Sequence, residues 1–98
     1  MILENTGISK QVLEEIITLS KTHNLSKVIL FGSRARGDHG KKSDIDLAVE
    51  GKDITGFALD VDEYTETLLQ YDIVDLSKAQ EELLENIRKE GIIIYEKV

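Results

Sequence analysis

The chain has 98 residues, a length that suits one compact domain, so we expect residues 1–98 to form a single domain. Its net charge of −7 argues against direct binding of nucleic acid through phosphates, and no apolar stretch reaches membrane-spanning length. Cysteine is absent, which excludes disulfides and thiolate zinc sites, and we expect a cytoplasmic protein.

The first two predicted elements are a helix and a strand. Apolar residues at helical spacing predict a helix that begins after Ser9 and ends near His23. Ser9 is a suitable N-cap, and a histidine at a helix C-terminus suits the helix dipole. Residues 28–31 form a short apolar, β-rich run that stops at Gly32, which predicts a buried strand.

A loop and a second strand follow. Residues 33–42 are small, charged and glycine-rich, which predicts a loop with one helical turn ending at Gly37. Residues 44–50 then alternate between apolar and polar side chains. This period of two predicts a strand whose carboxylates at Asp44 and Asp46 project from one face.

The second half of the chain predicts two helices and two strands. Apolar residues recur at helical spacing over residues 57–68, and residues 73–76 read as a short strand. A capping-box pattern at residues 77–80 predicts the start of a helix that ends at Gly91, and residues 92–95 close the chain as a strand. The fold class predicted is α+β, a small mixed sheet with helices on one face.

The pattern most informative about function is a Gly-Ser pair, ten further residues, and then Asp-x-Asp at the head of a strand. Gly32 lets the backbone turn tightly and lets a phosphate approach, and Ser33 offers a hydroxyl donor. Asp44 and Asp46 are roughly 7 Å apart at their Cα atoms on an ideal strand. Paired carboxylates of this kind favour Mg²⁺, which prefers oxygen ligands and is often shared with substrate phosphates.

The chain resembles the minimal nucleotidyltransferase family, relatives of polymerase β. Residues 30–37 read Leu-Phe-Gly-Ser-Arg-Ala-Arg-Gly, and residues 43–49 read Ser-Asp-Ile-Asp-Leu-Ala-Val. Residues 71–76 and 90–96 also resemble that family. The resemblance implies a nucleotidyltransferase core without a separate substrate domain. It further implies an antitoxin that moves AMP from ATP onto a tyrosine hydroxyl of a helical HEPN-family toxin.

The resemblance also implies roles for individual residues. Gly32 and Ser33 match the pair that positions the nucleotide, while Asp44 and Asp46 match two carboxylates that bridge two Mg²⁺ ions. Asp72 best matches the third carboxylate, which holds the second metal ion and helps to deprotonate the attacking hydroxyl.

Asp75 is the alternative to Asp72. The two residues are three apart on a strand, so their side chains point to opposite faces and only one joins the site. Strand alternation favours Asp75, because Asp72 shares its face with Val74 and Leu76, whereas the resemblance favours Asp72. We take Asp72 as the predicted ligand.

Two arginines, Arg34 and Arg36, lie beside the expected phosphate site. We predict that they neutralise charge on the triphosphate, with solvated loop arginines as the alternative.

Two other functions are weighed against the protein-modifying enzyme. The first is an antitoxin whose site is spent and which neutralises its toxin by binding alone. The second is transfer to a small-molecule acceptor, which the lack of a second domain disfavours. The intact Gly-Ser and Asp-x-Asp elements favour the enzyme, because a protein that only binds has no need of clustered carboxylates.

Overall fold

The computed structural model describes residues 4–98, which form a sheet flanked by helices. In chain order the elements are a 3₁₀ turn (Glu4–Thr6), α1 (Lys10–Thr22), β1 (Leu25–Phe31), α2 (Gly32–Arg36), β2 (Ile45–Gly51), α3 (Ile54–Tyr64), β3 (Tyr71–Asp75), α4 (Glu81–Glu90) and β4 (Ile92–Glu96). Across these residues, none of the helices combines the length and the apolar character needed to cross a membrane.

The sheet is mixed, with the four strands in the order β3-β2-β1-β4. β1 pairs antiparallel with β2 on one side and with β4 on the other. β2 and β3 run parallel, and α3 lies between them in the chain as the crossover that a parallel pair requires. The predicted α+β class with a mixed sheet is therefore confirmed.

The helices cover both faces of the sheet, which corrects the prediction that they lie on one face. α1 and α3 pack on the face that carries Leu47 and Val49. α4 packs on the opposite face, where Ile87 meets Phe31 and Ala48 in a second apolar cluster. The reason is strand alternation, because Phe31 and Ala48 point away from α1 and α3 and need a cover of their own.

Most element boundaries follow local signals, and two do not. The Ser9 hydroxyl accepts a hydrogen bond from the backbone N–H of Val12, so the predicted N-cap is confirmed. α3 ends at Tyr64 and does not reach Leu68, because Thr65 is extended and Leu68 is fully exposed. α4 begins at Glu81, so the predicted capping box is wrong.

The serine of that capping box has another partner. The hydroxyl and the backbone N–H of Ser77 both donate to Oδ1 of Asp75, at 2.7 Å and 2.9 Å. This local turn competes with the N-cap role that the sequence pattern predicts. Gly91 ends α4 as predicted, and its N–H donates to the carbonyl of Ile87 at 2.8 Å.

The end of α1 is tied to α3 through the ring of His23. Its Nδ1 lies 2.7 Å from Oδ2 of Asp53, and its Nε2 lies 2.7 Å from Oδ2 of Asp60. Both nitrogens donate hydrogen bonds only when the imidazole is protonated. The hydrogen bond to Asp53 is the largest cause that raises the pKa of His23, and Asp60 adds to it against the opposing effect of burial. The protonated ring therefore stabilises the packing of α1 on α3.

We predict that the free energy of unfolding declines as the pH rises through the folded-state pKa of His23. A raised pKa means that this stabilisation is complete below the ordinary value of 6.5 and is lost as the pH passes the folded value. Urea unfolding between about pH 6 and about pH 9 measures the slope. His23→Gln should lack this decline, and Lys21→Gln on the same helix end should retain it. The same decline in both variants would contradict the assignment.

Candidate active site

The turn from β1 into α2 places a glycine directly beside a carboxylate. Gly32 has φ of +77°, and a Cβ built on it would collide with the carboxylate of Asp46. The contact arises because Phe31, the last residue of β1, pairs with Asp46 on β2. A side chain at position 32 would therefore be strained by its backbone and would displace Asp46.

Two of the predicted metal-binding carboxylates are neighbours across the sheet. Asp46 on β2 pairs in register with Asp72 on β3, so both side chains leave the same face on strands about 4.8 Å apart. Asp44 is exposed and lies one residue before β2 begins. The structure thus brings Asp44, Asp46 and Asp72 to one end of the sheet.

Asp75 lies elsewhere. It pairs with Val49, on the face that α1 and α3 cover, and its carboxylate accepts both hydrogen bonds from Ser77. Strand alternation favoured Asp75 because Asp72 shares its face with Val74. That inference failed because α4 covers Val74, so an apolar neighbour on the same face is compatible with an acidic group at the uncovered end.

The charges at this end of the sheet repel one another. Burial is the largest cause that raises the pKa of Asp46, and the negative charges of Asp72 and Asp44 raise it further. The cations of Arg36 and Arg34 act in the opposite direction. Ionised Asp46 is therefore under electrostatic stress, and a bound cation would relieve it.

The donor set suits an ion that is shared with a phosphate. Within residues 4–98, no three histidine, aspartate or glutamate side chains are arranged to hold a metal ion. Mg²⁺ is typically bound by one or two carboxylates together with substrate phosphates and water. The paired carboxylates of Asp46 and Asp72 fit that mode in chemistry and in placement.

We predict opposite effects on stability from two matched substitutions on β3. At neutral pH, without Mg²⁺ or nucleotide, Asp72→Asn should raise the melting temperature by a few degrees because it removes repulsion from Asp46. Asp75→Asn should lower it, because hydrogen bonds from Ser77 hold the pKa of Asp75 below its ordinary value. Differential scanning calorimetry measures both, and a lower melting temperature for Asp72→Asn would refute the repulsion.

The two predicted phosphate-binding arginines have different environments. Arg34 is 2% exposed, and its guanidinium donates to the carbonyls of Ser43 at 3.0 Å and of Thr6 at 2.8 Å. Arg34 therefore ties α2 to the loop just before Asp44, and this placement argues against its predicted contact with the triphosphate. The small, charged and glycine-rich composition of residues 33–42 does not indicate that this arginine is buried.

We predict that Arg34 carries stability. Arg34→Met should reduce the free energy of unfolding by about 2–4 kcal/mol, because the buried carbonyl of Thr6 and the partly buried carbonyl of Ser43 lose charged hydrogen bonds. Arg36→Met is the matched control, and it should change stability far less because Arg36 is exposed. Urea unfolding compares the variants, and equal losses would contradict the structural role of Arg34.

Arg36 belongs to a charged cluster in which the sequence predicted the arginine but not its partner Glu90. Its Nε donates to Asp38 at 3.1 Å, and its Nη1 donates to both carboxylate oxygens of Glu90 at 3.1 Å. Glu90 also accepts from the backbone N–H of Gly32 at 3.2 Å. Ser33 follows Gly32 in the first turn of α2 and is half-buried. No local pattern points to Glu90, because its partners lie 54 and 58 residues away.

Comparison with known proteins places this arrangement in a family. The family model described as "Polymerase beta, Nucleotidyltransferase" matches residues 14–98. A relative from Methanocaldococcus jannaschii, provisionally named a protein adenylyltransferase, is 30% identical over 99 residues. The match covers 88% of this chain and 97% of the relative.

Solved structures agree with this match. A crystal structure of a toxin–antitoxin with AMP-PNP is similar with a TM-score of 0.72 and 26% identity, covering 87% of this chain and 73% of the matched chain. A structure of a tri-AMPylated Shewanella oneidensis HEPN toxin in complex with its minimal nucleotidyltransferase antitoxin is similar in fold. Its TM-score is 0.65 at 23% identity, over 88% of this chain and 71% of the matched chain.

Proposed function

Because this chain belongs to the polymerase β nucleotidyltransferase family, we propose that it transfers the AMP unit of ATP to a hydroxyl group of a partner protein. Enzymes of this family generally use a nucleoside triphosphate and a divalent metal ion. The observation that supports the proposal best is the register that sets Asp46 beside Asp72 and against Gly32. This arrangement places clustered carboxylates next to a turn whose glycine, Gly32, has no side chain.

Each member of the site has a proposed role. Gly32 and Ser33 would hold the phosphates of ATP, and Arg36 would offset part of their charge. Asp44, Asp46 and Asp72 would hold two Mg²⁺ ions only together with phosphate oxygens, which supply the ligands that these three carboxylates alone do not provide. The ions, when bound, would supply the positive charge that the triphosphate and the carboxylates need to share one site.

The proposed reaction is a displacement at the α-phosphorus. The acceptor oxygen forms a bond to this phosphorus while the bond to the leaving pyrophosphate breaks. The hydroxyl proton passes to the carboxylate of Asp72, which lies on the exposed end of β3. Asp46 is half-buried and lies directly beside Gly32, which suits a residue that holds a metal ion in place.

The proposed acceptor is a tyrosine hydroxyl of a HEPN-family toxin, and the chain would act as its antitoxin. The support is the likeness, at 26% identity, to a chain of a toxin–antitoxin structure solved with AMP-PNP. The name of the archaeal relative describes the same reaction class, transfer of an adenylyl group to a protein. We further propose that residues 1–98 act as one domain, since β1–β4 share a single sheet.

We predict that Asp46→Asn abolishes transfer without unfolding the protein. Loss of residues that merely orient metal ligands typically costs about 10–100-fold, so loss of a ligand itself should cost more than about 100-fold. The purified chain is incubated with labelled ATP, Mg²⁺ and the proposed partner, a HEPN-family toxin from the same organism. Intact-mass analysis then measures the gain of AMP on that protein.

Asp75→Asn is the matched control, because Asp75 lies on β3 and faces away from Asp46. It should retain transfer, and chelation of Mg²⁺ should stop transfer by the unaltered chain. Unchanged transfer by Asp46→Asn would refute the proposed site. A stable complex that inactivates the toxin, with no gain in the mass of the toxin, would instead support an antitoxin that acts by binding alone.

A further inference from the structure

The donors that contact Glu90 form a binding site for an oxyanion, here called the cradle. In this structure the carboxylate of Glu90 itself occupies the cradle. The cradle consists of the backbone N–H of Gly32 and the guanidinium of Arg36, which converge on Glu90. A carboxylate held by a backbone N–H and a guanidinium has the same hydrogen-bonding pattern as a bound phosphate oxygen.

We propose that Glu90 is a built-in competitor of the triphosphate, and that nucleotide enters by displacing its carboxylate from Gly32 and Arg36. The inference rests on the proposed function, in which these two residues contact ATP. A phosphate oxygen and the Glu90 carboxylate cannot occupy the same donors. The negative charges of the phosphate and of the Glu90 carboxylate would also repel each other if both lay beside these donors.

The end of α4 is fixed, so the position of Glu90 does not depend on a flexible segment. Ile87, one turn earlier, is buried against Phe31 and Ala48. A Cβ on Gly91, the next residue, would collide with the carbonyl of Ile87 and with the side chain of Ile29. The backbone on both sides of Glu90 is therefore packed against the sheet.

The side chain of Glu90 can nonetheless leave without opening the fold. It is 23% exposed, and the Arg36 side chain that holds it is 45% exposed. Rotation about side-chain bonds would carry the carboxylate into solvent while α4 stays in place. Arg36 would then be released toward the phosphates, and it already lies close enough to Asp46 to lower the pKa of that carboxyl.

The competitor role and a positioning role predict opposite results. If Glu90 competes, removing its charge makes nucleotide bind more tightly, because the cost of displacing it disappears. If Glu90 only orients Arg36, removing it makes nucleotide bind more weakly. A loss of packing would also weaken binding, so tighter binding cannot arise from a damaged fold.

The test measures the affinity of the full chain for Mg²⁺ and α,β-methylene ATP, whose α–β bridge resists cleavage. Isothermal titration calorimetry gives Kd for the unaltered chain, Glu90→Gln and Glu90→Ala. We expect both variants to lower Kd by about fivefold, the size of one partly screened charge repulsion. Glu82→Gln removes the same charge from an exposed position on α4 and should leave Kd unchanged.

Each outcome decides the question. Tighter binding in both Glu90 variants, with Glu82→Gln unchanged, supports the competitor role. If the unaltered chain binds the analogue and either Glu90 variant binds equally or more weakly, the competitor role is overturned while the proposed function stands. If the unaltered chain itself does not bind the analogue, the proposed function fails and this inference fails with it.

Discussion

The pairing register of three strands is the constraint on which the site depends. Phe31 pairs with Asp46, and Asp46 pairs with Asp72, so β1, β2 and β3 each deliver one part of the site to the same end of the sheet. A slip of one residue between any two strands would turn a carboxylate to the opposite face. The apolar clusters on the two faces enforce this register, because Leu47 and Ala48 must each remain buried under a different layer of helices.

The same register brings negative charges close together, and nearby arginines reduce the resulting repulsion. Ionised Asp46 is disfavoured by burial and by its acidic neighbours. The fold tolerates this because Arg34 is anchored by backbone carbonyls and Arg36 lies nearby, and both lower the pKa of Asp46. Stability sacrificed at one place for chemistry is a common feature of functional sites. Here the sacrifice also explains why a metal ion shared with a nucleotide suits the site.

α4 connects the apolar packing to the site. One side of this helix buries Ile87 on the face that α1 and α3 leave uncovered. Its last residue, Glu90, reaches Gly32 and Arg36, so the helix that completes the core also supplies a carboxylate to the turn that we propose binds phosphate. If Glu90 competes with the nucleotide as we propose, occupancy of the site is linked to the ion pair at the C-terminus of α4.

The sequence by itself determined the elements and the local motif. Helical spacing and the Ser9 cap predicted α1, and alternation predicted β2, because these signals depend on residues within one or two turns of each other. The Gly-Ser and Asp-x-Asp elements could also be identified from the sequence, because each consists of residues close together in the chain. Tertiary structure alone decided what depends on distant segments meeting: that Asp72 and not Asp75 faces Asp46, that α4 covers the second face, that Arg34 is buried, and that Glu90 contacts Gly32. Packing between elements decides which face of a strand stays exposed and which residue pairs with a charged side chain. The spacing of residues along the sequence does not carry this information.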